Sequence, residues 1–205
     1  MIPQIEKIQH NIKEIREFAN RQKKLAEEQE GLAILIEQET EGILTIENNN
    51  NKLKPLSISE IEKIFGKFEY SDIGNGRIRI DGDWEYRNCK LYEFNGNKYY
   101  LNKRVAPQFF GFLIECINEG YEDEVAFRNG GGIFCTRHRN WDIDRPLSYH
   151  SWAIAFDTDP EKYPYGSNIR HSDRVVEIAN RWGWYYGGDF TNLDPMHFEF
   201  ARFII

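Results

Sequence analysis

The stretch "LSYHSWAIAFD", Leu147 to Asp157, opens as a polar turn carrying a histidine and closes as an apolar run ending on an aspartate. Read as a strand over 152–157, it sends Trp152, Ile154 and Phe156 to one side and Ala153, Ala155 and Asp157 to the other, because successive strand side chains alternate. His150 has the parity of the wrong side. It reaches Asp157 only if the chain bends between Tyr149 and Trp152, an irregularity that commonly re-aims a side chain at a site. The small Ala153 and Ala155 leave room beside Asp157.

Downstream, "LDPMHFEF" at 193–200 brings a second acid and histidine. In a strand, His197 and Glu199 share one face, Phe198 and Phe200 take the core face, and Asp194 sits in the turn before Pro195. Two imidazoles and one carboxylate form a donor set that zinc accepts with one position left for water. His150, Asp157 and His197 are therefore candidate ligands, with Asp194 beside the metal but not on it. Taken singly, His150 reads as a structural histidine, Asp157 as a strand end and Asp194 as a turn acid. Their coincidence points to a metal. His10 in a polar helix, His138 in an arginine-rich turn and His171 before a helix cap read as surface residues.

The rest of the chain supplies the frame. Residues 3 to 30 place Ile5, Ile8, Ile12, Ile15 and Ala19 at three-four spacing, which predicts an amphipathic helix. "GLAILIEQETEGILTIE" follows as a short hairpin, and "NNNNKLKP" as a polar linker closed by Pro55. This predicts an N-terminal segment over 1–55 and a main domain over 56–205. There, "SISEIEKIFGKF" reads as a helix capped by Ser57 or Ser59. "GNGRIRIDGDWEY" and "KLYEFNGNKYYL" read as strands around Asn-Gly turns. A third helix starts at Pro107 and ends by Gly120, and a fourth is capped by Ser172 and stopped by Gly183. Strands and helices mix without a βαβ rhythm, so the fold class is α+β, a small mainly antiparallel sheet with flanking helices.

A net charge of -7 on 205 residues gives no general attraction to nucleic acid. The three cysteines are widely spaced and without a CxxC pair, which argues against a disulfide framework or a thiolate zinc site. No stretch reaches the length of a membrane span, and the charged N-terminus lacks the apolar core of a signal peptide, so synthesis in the cytoplasm is expected.

These motifs resemble those of the M15 zinc peptidases, a family that includes D-alanyl-D-alanine carboxypeptidases and dipeptidases and the L-alanyl-D-glutamate endopeptidases of phage lysins. The pattern is His, six residues, Asp, then an acid, two residues and His. His150 and Asp157, then Asp194 and His197, reproduce it. "GGIFCTRHRN" at 131–140 is similar to the family's Gly-rich approach to an arginine, and "GWYYGGDF" at 183–190 to its approach to the second histidine. The resemblance covers about residues 84 to 205. It implies zinc held by His150, Asp157 and His197, Asp194 as general base, and Arg137 holding a substrate carboxylate or the developing oxyanion, with Arg139 a rival for that role. The substrate it implies is the peptide of bacterial cell-wall peptidoglycan, reached after lysis or dedicated secretion. The chain departs from the pattern at Ala153 and Asn140, where glycine is usual, and at Phe190, where tryptophan is usual.

Two other classes remain open at this level: a zinc-stabilised binding module without catalysis, and a structural or assembly protein working through its N-terminal helix by self-association or by docking a delivery partner. An intact Asp194 and Arg137 favour the enzyme, since pure binding needs no base.

Overall fold

Ser57 opens the first helix of the computed structural model, which describes residues 53–128 and 131–204. The predicted N-terminal helix and hairpin, and most of the asparagine linker, lie outside the described residues. Helix α1 (Ile58–Phe65) begins with a capping box: the Ser57 hydroxyl accepts from the Glu60 amide, and the Glu60 carboxylate accepts from the Ser57 N–H at 2.7 Å. Both predicted Asn-Gly hairpins form. Strand β1 (Tyr70–Gly74) pairs with β2 (Arg77–Ile80) across Asn75-Gly76, and β3 (Cys89–Phe94) with β4 (Asn97–Asn102) across Asn95-Gly96. All four turn residues have positive φ, which tight hairpins require and Asn and Gly supply with least strain.

One segment departs from its sequence reading. "DWEY", taken as strand, becomes helix α2 (Trp84–Asn88), because the strand itself ends at Ile80 and Gly82 turns the chain at positive φ. The Trp84 indole is buried and donates to the Phe65 carbonyl at 3.0 Å, which fixes the short helix to α1.

Helix α3 (Ala106–Asn118) carries Pro107 in its first turn and buries Phe109, Phe110, Phe112 and Leu113. Helix α4 (Asp173–Arg181) starts at Ser172, whose hydroxyl accepts from the Val175 amide. The two helices approach at Gly111, where a Cβ would run into the Trp182 ring.

The element that positions the site is a three-stranded antiparallel sheet, with β7 (His197–Phe200) between β5 (Ala155–Asp157) and β6 (Trp184–Tyr186). Phe156 and Phe198 stack at 5.1 Å between ring centres and meet Phe112 of α3, so this face is core. The opposite face carries Asp157 directly across from His197, and Glu199 between Ala155 and Tyr185. The strand predicted over 152–157 is shorter. Tyr149–Trp152 forms a 3-10 turn and Ala153 takes the left-handed conformation, φ 53 and ψ 41, before β5 begins. With four helices and three small antiparallel sheets among the described residues, the fold is α+β. No helix among the described residues is long and apolar enough to cross a membrane.

Candidate metal centre and cleft

The bend at Tyr149–Ala153 overcomes the parity mismatch and turns His150 toward the end of β5. His150 is almost fully buried, and its Nδ1–H donates to the Ile133 carbonyl at 2.7 Å, so the Nε2 lone pair is left pointing inward. It lies 3.2 Å from Asp157 Oδ2 and 3.2 Å from His197 Nδ1. His197 is fixed in the complementary way: its Nε2–H faces Glu199 Oε2 at 3.2 Å, freeing Nδ1, which lies 2.8 Å from Asp157 Oδ1. Three acceptor atoms on His150, Asp157 and His197 thus converge, all within 4.8 Å of one another.

Lone pairs this close need a cation between them. Around a tetrahedral zinc with bonds of about 2.0–2.1 Å, neighbouring ligand atoms stand about 3.3 Å apart. The 3.2 Å between the two imidazole nitrogens fits that edge, each nitrogen has its own Asp157 oxygen nearby, Oδ2 for His150 and Oδ1 for His197, and the mixed nitrogen and oxygen donor set suits the same ion. In the metal-free cluster a proton takes the cation's place. Burial disfavours charge on His197, but the hydrogen bonds to Asp157 and Glu199 outweigh it and push its pKa up to about 10. Burial likewise opposes ionisation of Asp157, yet His150 and His197 hold it well below the usual carboxylate range.

Two close approaches set the chain around this centre. A Cβ at Gly131 would collide with the Thr158 carbonyl, just beyond Asp157, and one at Gly187 would press on the carbonyl of Asp194. The Gly187 carbonyl accepts from the Asp194 amide at 3.0 Å, tying the turn before His197 to the Gly-Gly-Asp segment.

Asp194 lines a cleft of about 350 Å³ together with His197, Glu199, Arg137 and Arg139. Its Oδ1 is buried without a hydrogen-bond partner among the described residues, and burial raises its pKa, the nearby Asp157 adding to the effect. Arg137 lies on the same cleft with its guanidinium 5.0 Å over the Trp141 ring. Arg139 lies there too, 4.8 Å over the Tyr149 ring. The sequence pattern therefore places all five of its candidate residues at one locus.

Several residues differ from their sequence readings. His138 is buried: Nε2 meets Asp72 at 3.0 Å and Nδ1 meets the Arg145 carbonyl at 2.6 Å. His171 is buried as well, stacked on Tyr163 at 3.8 Å between ring centres. Both corrections arise because partners 13 or more positions away, or across a loop, close over residues that look exposed locally. Glu199, which shares the strand face of His197, is buried against it. Trp152, Trp182, Trp184 and Tyr186 are core and Tyr185 is half-buried, while Tyr149, Tyr165 and Phe190 line the cleft. The signal for Tyr149 was its place beside His150; Tyr165 carried none.

Residues 142–200 match the peptidase M15 family model described as D-alanyl-D-alanine carboxypeptidase. The matched stretch contains His150, Asp157, Asp194 and His197, whereas Arg137 lies upstream of it. The M15 resemblance is thus found independently of the geometry. No curated protein and no solved structure matches the chain.

Proposed function

We propose that the chain is a zinc-dependent peptidase that hydrolyses peptide bonds in the stem peptides of bacterial peptidoglycan. The observation that carries this reading is the convergence of three lone-pair donors beside a carboxylate whose Oδ1 is buried without a partner among the described residues, in an arginine-lined cleft. The substrate class rests on the family match. His150, Asp157 and His197 would hold the ion. When bound, zinc supplies Lewis-acid polarisation of a carbonyl and brings the pKa of a water toward neutrality.

The protein's own groups do the rest. Asp194 takes the proton from the attacking water and passes it to the leaving amine, work worth about 10²–10⁴-fold in rate. Its burial suits this role, since a carboxylate whose pKa is raised is a stronger base than one in water. Arg137 pairs with a substrate carboxylate or the developing oxyanion, and its stacking on Trp141 limits the freedom it must lose to do so. Glu199 keeps Nδ1 of His197 unprotonated and aimed at the ion by accepting from Nε2. The nearly dry floor of the site, with His150 and His197 both buried, strengthens each of these interactions.

The test is incubation of the full chain with purified peptidoglycan, with and without a chelator, and identification of new amino termini by mass spectrometry. New termini that vanish with chelator and return with zinc are expected, and they name the scissile bond. Intact peptidoglycan in the presence of zinc-loaded protein would reject the reading.

A further inference from the structure

Arg137 and Arg139 flank His138, whose backbone is extended (φ -71, ψ 155) and caps the 3-10 turn Arg139–Trp141. This stretch is tied across the 146–148 segment, with the Ser148 amide donating to the Arg137 carbonyl and the Arg139 amide to the Pro146 carbonyl, both at 2.9 Å. His138 turns inward to Asp72, while both arginines line the cleft that holds Asp194 and His197.

The charge pairing in this cleft is incomplete. Arg145, a third arginine on its wall, meets Asp142 at 3.3 Å. Arg137 rests on the Trp141 ring and reaches Asp194 only through space, Arg139 rests on Tyr149, and neither makes an ion pair among the described residues, in a chain with 33 acidic residues against 26 Lys and Arg. One substrate carboxylate engages one guanidinium as a two-pronged pair and leaves the other unmatched.

We propose that Arg139 forms a second anion subsite, so that the cleft selects a peptide bearing two carboxylates. This inference rests on the peptidase reading for the class of ligand, a peptidoglycan stem peptide, and not on its cleavage.

Equilibrium binding tests it without turnover. The probes are two stem pentapeptides, one with a free glutamate carboxylate and one with that carboxylate amidated, titrated calorimetrically into the full zinc-loaded chain carrying Asp194→Asn to block cleavage. The free form should bind about tenfold or more tightly, as hydrogen bonds to a charged group imply. Arg139→Gln in that background should bring the two affinities together, Arg139→Lys should keep part of the preference, and Arg137→Gln should weaken both peptides while preserving their ratio. Equal affinities in the unaltered cleft, binding of neither peptide, or a preference that survives Arg139→Gln would overturn the proposal; thermal melts exclude unfolding as the cause. A preserved preference in a protein that cleaves no peptidoglycan would reject the peptidase reading and leave the anion subsite standing.

Discussion

Replacing Glu199 by Ala isolates what a buried carboxylate outside the ligand set does for the metal. Glu199 and His197 are both nearly inaccessible to water, and Oε2 stands 3.2 Å from Nε2. Truncation leaves a buried N–H unpaired and lets the imidazole adopt the other tautomer, with its proton on the nitrogen that faces Asp157 and His150. Such supporting hydrogen bonds are worth about 10- to 100-fold in metal affinity, or about 1.4–2.7 kcal/mol. Glu199→Gln, which keeps an acceptor oxygen but loses the charge, should lose less. Competition against a chromogenic chelator reads both affinities, with circular dichroism confirming the fold. Repeated at higher pH the loss should grow, because the proton that competes for His197, with its pKa near 10 in the metal-free site, is partly removed. A Glu199→Ala protein that binds zinc as tightly as the parent at every pH would refute the assignment of Nδ1 as the metal-facing atom.

Asp194→Ala should keep zinc occupancy near one per chain while cleavage falls by about two orders of magnitude or more, measured by metal analysis beside turnover; unchanged turnover would remove Asp194 as the base. His171 gives a pH dependence unconnected with the metal: burial first, then Lys162 and Arg170, lower its pKa to about 3, against about 6.5 when unfolded. Because the folded value is depressed, this contribution is complete above about pH 6.5 and is lost as pH falls toward 3, by up to about 1.4 kcal/mol per unit, and His171→Gln should flatten that part of the urea-derived stability curve. At Ala153, fully buried with φ 53, Val should destabilise by about 2 kcal/mol or more in denaturant melts. Gly there should be nearly neutral, since relief of the left-handed conformation is offset by a lost buried methyl and a looser unfolded chain.

The local parts of this fold were legible because their signals are local. Ser57 with Glu60, the two Asn-Gly pairs, and Pro107 with Gly120 each state a cap or a turn within four residues or at the ends of one element. The clustering of the candidate site was legible for another reason: His150, Asp157, Asp194 and His197 stand at the spacings of the M15 motifs, and the departures from that pattern make sense in the backbone. Ala153 and Asn140, where glycine is usual, both have positive φ, a conformation glycine takes freely and Asn tolerates. What sequence could not show was long-range closure. His138 is buried by Asp72 in a hairpin 66 residues earlier, and His171 by Thr158 and Tyr163, and neither partner leaves a mark on the histidine's own neighbours. The reading of "DWEY" as strand failed because period two continued by chance past Gly82, where the backbone had already turned.

If the cluster holds the proposed ion, the central position of β7 would make metal capture a proofreading step for sheet assembly. His197 and Glu199 face the cleft while Phe198 and Phe200 face the core, so sliding β7 by one residue against β5 would drive both phenylalanines into the cleft and bury the two polar groups among aromatics. Chains caught in the slipped alignment would lack convergent donors and could not load the ion, whereas correctly aligned ones would gain about RT ln(1 + [metal]/Kd) in stability from it. Metal content per mole of purified chain would then report the fraction with the right strand alignment, a property that bulk helicity does not sense.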